Sequence, residues 1–143
     1  MRRAEYGHIE QIVSIEAASF PDPWSRASFL SELDGQGTHF FVAERKDALL
    51  GYCIFRSILD EGEIFNIAVA PEYRGQGIGE AMVNKIIELG QAEGLSTIYL
   101  EVRAGNLPAK WLYVKMGFRA VGIRRGYYLS PKEDAIIMAY KFQ

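Results

Sequence analysis

A strand, a cluster of glycines and a long helix follow one another in the middle of the chain, and this succession constrains the fold more than any other feature. Residues 64–70 form an apolar run that Pro71 ends, as expected of a strand. Three glycines follow at alternate positions within residues 75–79. Beyond them, apolar side chains recur at helical spacing, at Ile78, Met82, Ile86 and Leu89. Unpaired backbone N–H groups and the helix dipole make the start of such a helix a natural site for phosphate groups.

The glycine cluster matches neither of the two best-known nucleotide-binding loops. No Gly-Lys-Ser or Gly-Lys-Thr follows it, so it is not a Walker loop. Its glycines at positions 75, 77 and 79 also lack the longer spacing of the dinucleotide fingerprint GxGxxG. A tight turn would by itself explain glycines ahead of a helix. The spacing alone leaves both interpretations open, a phosphate-binding loop and a plain turn.

Periodicity predicts helices and further strands on both sides of this unit. Residues 7–19 have the spacing of an amphipathic helix that Pro21 and Pro23 end, and a short second helix is expected to start at Ser25, its N-cap. A hairpin is predicted at residues 40–43 with 49–58, and a strand at residues 97–102. A helix at residues 106–116 is ended by Gly117, and residues 118–125 with 135–142 are predicted as a closing pair of strands. This order predicts an α/β (α+β) fold with one mixed sheet covered by helices, in a single domain of residues 1–143.

Charge, cysteine and histidine content exclude several kinds of function. The formal net charge of −2 leaves no basic field for a polyanion, so no nucleic-acid partner is expected. Cys53, the single cysteine, lies in an apolar run and is interpreted as a buried strand thiol rather than a nucleophile. His8 and His39 lack zinc-binding spacing, so no metal is expected. The polar residues after Met1 predict no secretory signal, and hence a cytoplasmic protein without a membrane partner.

The glycine loop and the strand before it, residues 66–79, resemble the coenzyme A motif of the GNAT acetyltransferase superfamily. That motif reads (Gln/Arg)-x-x-Gly-x-(Gly/Ala) behind a strand. Further segments resemble the ribosomal-protein alanine N-acetyltransferases of the RimI family, at residues 20–25, 100–103, 106–118, 123–128 and 133–138. The resemblance extends over roughly residues 18–140, and several motifs in the right order are more specific than one glycine loop.

The resemblance implies a mostly antiparallel sheet in which two strands, residues 66–70 and 97–102, splay apart and hold acetyl-CoA. The family's cofactor contacts fall on Ile67, Ala68, Val69, Arg74, Gly75, Gln76, Gly77, Ile78, Gly79, Glu80 and Asn106. The backbone of residues 67–69 is expected to bind the pantetheine arm, and the Val69 N–H to polarise the thioester carbonyl. The Ile-Ala-Val run also suits a core strand, and Asn106 is equally a candidate helix N-cap.

The same resemblance implies a catalytic base and a catalytic acid. Glu101 occupies the family's base position, acting directly or through a water, and Tyr113 its acid position, which protonates the departing thiolate. Taken singly, a glutamate on a strand is more often a solvated edge residue, and a helical tyrosine more often packs in the core. Their paired occurrence within the matched motifs favours the catalytic interpretation.

Three positions depart from the family's pattern. Glu80 stands where the family usually has Arg or Lys, directly after the glycine loop. Gly105 replaces a small polar residue ahead of Asn106, and Pro108 lies in the first turn of the next predicted helix, where proline is tolerated.

The acceptor implied by the resemblance is the N-terminal α-amine of a protein, in particular the N-terminal alanine of a small-subunit ribosomal protein. The target's tail is basic, and the sequence places an acidic turn ahead of the cofactor strand, formed by Asp60, Glu61 and Glu63. Such carboxylates more often belong to an ordinary solvated loop. The resemblance also places three side chains on the wall of the acceptor side, Arg124, Tyr127 and Tyr128. Strand propensity alone also accounts for aromatic residues there.

Two other functions remain open at this point. A GNAT enzyme that acetylates a small amine, such as an amino acid or a polyamine, would share the coenzyme A motif. The segments at residues 20–25 and 123–128 favour a protein N-terminus over such an amine. A non-catalytic domain that binds coenzyme A would not need Glu101 or Tyr113, and both are present.

Overall fold

The protein, described here by a computed structural model of residues 1–143, is built from seven strands and four α-helices. The strands are β1 (Arg2–Arg3), β2 (Thr38–Arg45), β3 (Ala48–Ile58), β4 (Glu61–Val69), β5 (Thr97–Arg103), β6 (Arg119–Leu129) and β7 (Lys132–Lys141). The helices are α1 (Ile9–Ser19), α2 (Arg26–Glu32), α3 (Ile78–Glu93) and α4 (Leu107–Lys115). Short 3-10 turns cover Tyr6–His8 and Pro71–Tyr73. None of the helices combines the length and the apolar composition of a membrane span.

All seven strands belong to one sheet, in the order β1-β2-β3-β4-β5-β7-β6. Every neighbouring pair is antiparallel except β4 and β5, which run parallel. The parallel pairing extends only from Glu61 opposite Thr97 to Ile64 opposite Leu100, and beyond that point the two strands separate. The prediction of a mixed, mostly antiparallel sheet with a splayed strand pair is therefore confirmed.

A β-bulge at Phe65 changes which face of the sheet β4 presents to each layer of helices. Ile54 pairs with Asn66 and Phe55 with Ile64, so Phe65 has no partner on β3. Side chains of a strand alternate between the two faces, and one extra residue reverses that alternation. Ile64 consequently packs in the core beneath α3, whereas Ala68 packs in the core beneath α1.

Each face of the sheet has its own hydrophobic core. Helices α3 and α4 cover a core whose fully buried members include Cys53, Phe55, Met82, Ile86 and Ile98. Helices α1 and α2 cover the opposite core, which includes Ile9, Ile12, Phe29, Tyr52 and Ile54. The thiol of Cys53 is fully buried, and this burial raises its pKa well above the ordinary value, as expected of a packing residue.

Helix ends follow the predicted signals. The Ser25 hydroxyl accepts a hydrogen bond of 3.1 Å from the Ser28 N–H at the start of α2. Asn106 caps α4 in the same way, accepting a hydrogen bond of 3.3 Å from the Ala109 N–H. Gly117, with φ of +105°, follows α4 in a backbone conformation that favours glycine.

The structure corrects the predicted acidic turn. Ile58 pairs with Glu61, so the turn between β3 and β4 consists only of Leu59 and Asp60. Leu59 adopts the left-handed conformation, with φ of +57°, which closes the two-residue turn. Glu61 and Glu63 consequently lie within strand β4, which starts three residues earlier than the apolar run at residues 64–70 suggested.

Two further differences concern strand ends. Strand β1 was not predicted, because its two arginines carry no apolar pattern. They pair with Phe41 and Val42, and their side chains bond to distant groups, Glu44 and the Leu33 carbonyl. The closing hairpin extends to Leu129 and Lys132, beyond the predicted ends at residues 125 and 135, because Tyr128 pairs with Glu133 and Leu129 with Lys132.

Candidate active site

A cavity of about 500 Å³ opens where β4 and β5 separate. Its lining comes from both helix layers, from strands β4, β5 and β6 and from the α1–α2 turn, whereas the glycine loop contributes no residue. The lining includes Glu16, the α1–α2 turn with Phe20, Asp22 and Trp24, residues 64–67 of β4, residues 100–103 of β5, Asn106, Ala109 and Tyr113 of α4, and residues 127–129 of β6. Both candidate catalytic residues, Glu101 and Tyr113, therefore line one cavity.

Glu101 reaches the cavity from the α1 side of the sheet. Its neighbours Leu100 and Val102 are buried beneath α3 and α4, so the alternation along β5 points Glu101 to the opposite face. The Oε2 atom of Glu101 lies 3.2 Å from Nε of Arg124. This contact lacks the angles of a hydrogen bond, so Oε2 is a buried acceptor without a donor. Such an oxygen is a natural binding position for a water or an incoming N–H group.

Tyr113 reaches the cavity from the other side of the sheet. It belongs to the core beneath α3 and α4, where its ring packs against Phe118 at a centroid distance of 5.7 Å. Burial raises the pKa of the Tyr113 hydroxyl above its ordinary value, and the nearby Cys53 and Tyr128 add to the rise. The tyrosine therefore keeps its proton at neutral pH, which is the state required of a general acid.

The backbone of β4 presents free N–H groups to the gap. The Ala70 N–H bonds to the Leu50 carbonyl at 2.8 Å, and backbone groups of a strand point alternately to either side. The N–H groups of Ile67 and Val69 therefore point away from β3, toward the space that β5 has left. Ala68 differs, because it pairs with Tyr52 of β3 and its side chain is buried against α1.

Glycines at the N-terminus of α3 leave open space next to the loop of residues 75–79. Gly75 and Gly77 have φ of +78° and +83°, and a Cβ atom at either position would have no neighbour within 4 Å. Left-handed backbone thus requires glycine here, and the absence of side chains leaves room for a ligand. At Gly79 the reason differs, since a Cβ would lie 3.2 Å from the Leu112 side chain of α4. Ile78 is buried in the core, while Gln76 is exposed.

Two charged residues beside this loop have partners within the protein. Arg74 donates from Nε to the Val69 carbonyl at 3.2 Å and from Nη2 to the Ser19 hydroxyl at 3.0 Å. Glu80, in the first turn of α3, forms an ion pair of 3.1 Å with Lys115 of α4. The acidic residue at position 80 is therefore accompanied by a cation from the neighbouring helix.

Tyrosines of β6 and Arg103 of β5 form the outer wall, with Arg124 of β6 beside it. The Arg103 guanidinium lies over the Tyr128 ring, 4.2 Å from its centroid, and Arg124 lies 5.6 Å from the centroid of Tyr127. Burial raises the pKa of Tyr128 to about 12, with the charge of Glu101 as the next contribution. The wall is thus built from tyrosine rings in contact with arginine guanidinium groups.

A second carboxylate lies on the same face of the sheet as Glu101. Glu63 pairs across the strands with Tyr99, two residues before Glu101. Burial and then the charge of Glu101 raise the pKa of Glu63, while Arg124 and Arg56 oppose the rise. The sequence had placed Glu63 in an acidic turn ahead of the cofactor strand, whereas the structure places it within β4 beside Glu101.

Sequence reasoning missed Glu16, which is 1% exposed and lines the cavity. The sequence did contain a signal for a buried carboxylate, because Glu16 lies one helical turn after Ile12, on the apolar face of α1. No group of three or more His, Cys, Asp or Glu side chains is arranged to hold a metal ion.

The fold and the glycine loop define an acyltransferase of one known class. The acetyltransferase (GNAT) family model matches residues 9–118, and the chain belongs to this family. GNAT acetyltransferases use acetyl-CoA, and one structural neighbour is Arabidopsis thaliana NAA60 in complex with acetyl-CoA.

Individual relatives indicate the activity more specifically than the family model does. The chain is 40% identical to the ribosomal protein bS18-alanine N-acetyltransferase of Escherichia coli K12 over 136 residues, which cover 92% of this chain and 86% of the relative. The crystal structure of the E. coli enzyme superposes with a TM-score of 0.89 at 36% identity, covering 97% of this chain and 90% of the other. Arabidopsis NAA60 in complex with a bisubstrate analogue shares the fold, with a TM-score of 0.91 at 22% identity and coverage of 99% and 98%. The resemblance to GNAT and RimI enzymes is confirmed.

Proposed function

We propose that this protein transfers the acetyl group of acetyl-CoA to the N-terminal α-amine of a protein, specifically the N-terminal alanine of ribosomal protein bS18. The observation that carries the proposal is the meeting of Glu101 and Tyr113 in one cavity at the β4–β5 gap. The 40% identity to a bS18-alanine N-acetyltransferase supports the acceptor. A ribosomal acceptor places the activity in the cytoplasm, and one domain of residues 1–143 carries all of it.

In this proposal, acetyl-CoA binds along β4 and at the N-terminus of α3. The open N–H groups of Ile67 and Val69 bond to the pantetheine arm, and the Val69 N–H polarises the thioester carbonyl. The backbone of residues 75–79 binds the pyrophosphate at the helix N-terminus. Arg74, Gln76 and Glu80 border the phosphates, Ala68 and Ile78 shape the strand and loop from the core, and Asn106 contacts the arm while capping α4.

Transfer occurs in one direct displacement. A free α-amine has a pKa of about 7.7–8.0, so most of it is protonated at neutral pH and must lose a proton first. Glu101 takes that proton directly or through a water at its unpaired Oε2. The amine nitrogen attacks the thioester carbon, the C–S bond breaks, and the Tyr113 hydroxyl protonates the thiolate. The proton lost by the new amide nitrogen restores Tyr113. Cys53 is fully buried and takes no part.

The acceptor chain enters along the wall of Tyr127 and Tyr128, with Asp22 at the rim of the cavity. The basic side chains of the acceptor's tail then pair with exposed carboxylates, those of Asp22, Asp60 and Glu61. Glu63 lies half-buried within β4 rather than in the exposed turn, so it is less accessible to this tail than the sequence suggested.

The experiment is an acetylation assay with acetyl-CoA and competing acceptors, with products identified by mass spectrometry. A peptide that begins with alanine and has a basic tail should be acetylated on its α-amine, faster than free lysine or spermidine. The same peptide with a blocked N-terminus serves as the control and should not react. Preference for the small amines would establish the alternative GNAT activity, and acetyl-CoA binding without any transfer would indicate a non-catalytic domain.

A further inference from the structure

The Glu16 carboxylate joins three separate parts of the fold. It is 1% exposed, and its Oε1 accepts hydrogen bonds from the Tyr52 hydroxyl of β3 and, at 2.8 Å, from the Asn66 amide of β4. Its Oε2 accepts a hydrogen bond of 2.9 Å from the Trp24 N–H in the α1–α2 turn. A buried carboxylate is tolerated only when its oxygens are satisfied, and here three neutral donors do so.

The Phe20 and Trp24 side chains pack against the core beneath α1 and α2, but hydrogen bonds to the α1–α2 turn are few. Pro21 and Pro23 have no N–H group, and the bond to Glu16 is the only hydrogen bond that reaches the backbone of residues 21–24. The Trp24 ring adds a contact to Phe29, with centroids 5.3 Å apart. Yet this turn supplies Phe20, Asp22 and Trp24 to the cavity wall.

We infer that Glu16 is a positioning residue for the acceptor side of the active site: its carboxylate holds the α1–α2 turn against strand β4 and so sets the entrance through which the amine arrives. This inference rests on the proposed function and goes beyond it. Asn66 directly follows the Phe65 bulge and precedes the Ile67 N–H that faces the gap. The Glu16 carboxylate therefore connects the α1–α2 turn, which lines the acceptor side of the cavity, to strand β4, which borders the proposed acetyl-CoA site.

Glu16→Met tests the inference because a thioether of similar length is only a weak acceptor and cannot replace the carboxylate. The Trp24 N–H then loses its hydrogen bond, and the α1–α2 turn loses its link to β4. The KM for the alanine peptide should rise about tenfold, the change that 1.4 kcal/mol produces, with the Kd for acetyl-CoA nearly unchanged. Tyr52→Phe is the matched control, since it removes another donor to Glu16 but leaves the Trp24 bond. It should lower Tm without raising the acceptor KM.

A second measurement does not depend on activity. The chain has two tryptophans, and Trp111 is 74% exposed, so Trp111→Phe leaves Trp24 as the only indole fluorophore at little cost to the fold. In that background, acrylamide should quench Trp24 more strongly when Glu16→Met is added. Adding Tyr52→Phe should leave the quenching unchanged.

An unchanged acceptor KM together with unchanged quenching in folded Glu16→Met would overturn the inference, as would equal effects of Tyr52→Phe. If Glu16→Met does not fold, Glu16→Asp, which is one methylene shorter, enters the same comparison with the same expectations. Failure of the proposed function is distinguishable, because the wild-type protein would then acetylate no α-amine while the quenching of Trp24 would still respond to Glu16.

Discussion

Glu101 and Tyr113 approach the same cavity from opposite faces of the sheet. Glu101 points toward the α1 side, whereas Tyr113 belongs to the core beneath α3 and α4. A continuous sheet would separate the two side chains, since paired strands leave no passage between its faces. The separation of β4 and β5 after Ile64 and Leu100 creates that passage. A base on one side and an acid on the other can thus act on one reacting centre.

Tyr113→Phe should lower kcat about 10²–10⁴-fold, the usual contribution of a general acid, and leave the Kd for acetyl-CoA unchanged. The change removes only the hydroxyl and keeps the ring against Phe118. Tyr140→Phe is the matched control, because Tyr140 also packs against Phe118 but does not line the cavity. Steady-state kinetics and calorimetry measure both quantities. Full activity in Tyr113→Phe would show that another group protonates the thiolate.

Glu101→Gln should also lower kcat about 10²–10⁴-fold, because an amide cannot accept the proton of the α-ammonium. The variant should recover partly as pH rises, since more of the amine is then already neutral. A pH–rate profile of wild type and variant measures this, and the acidic limb should flatten in the variant. An unaltered profile with a reduced rate would mean that Glu101 only shapes the cavity.

Gly77→Ala should raise the Kd for acetyl-CoA about tenfold or more, because a Cβ there enters the space above the loop. Its φ of +83° also makes alanine strained, by about 1–2 kcal/mol. Gly94→Ala isolates that strain, since Gly94 ends the same helix with φ of +72° and equally open surroundings. Calorimetric titration should find normal affinity in Gly94→Ala. Equal affinities in the two variants would argue against a pyrophosphate site at this loop.

Glu80→Gln should tighten acetyl-CoA binding about fivefold at low salt, because it removes a negative charge beside the phosphates and frees Lys115. The same change should lower stability by about 0.3–1 kcal/mol, since an acidic residue favours the N-terminus of α3. Glu88→Gln, exposed further along the same helix, is the control and should change neither affinity nor its salt dependence. Weaker binding in Glu80→Gln would mean that the carboxylate itself orders the loop.

Glu63→Gln should raise Tm near neutral pH and have no such effect in acid. Burial and the charge of Glu101 raise the folded-state pKa of Glu63 above 4.5. Its contribution to stability is therefore full below about pH 4.5 and is lost as pH rises through the folded-state value. Glutamine stays neutral and avoids that loss. Thermal melts across this range test the prediction, with Glu61→Gln at the exposed start of β4 as the control.

Local signals were sufficient to place the four helices before the structure was known. The prolines after α1, the Ser25 cap of α2 and the glycines around α3 act within a few residues of the chain, so their effect is readable from the sequence. The ends of the strands could be predicted less well from the sequence. Strand β1, the Leu59–Asp60 turn and the Phe65 bulge depend on pairing with strands elsewhere in the chain, which no local pattern reveals.

The sequence by itself determined the family, the glycine loop and the two candidate catalytic residues, because each is carried by a contiguous motif whose residue types and spacing are visible in the chain. Only the tertiary structure decided how these pieces meet. It brought Glu101 and Tyr113 to one cavity, moved Glu63 from a turn to the sheet beside Glu101, and buried Glu16 between Tyr52, Asn66 and Trp24. These relations join residues far apart in sequence, and strand register, the bulge at Phe65 and the separation of β4 from β5 produce them.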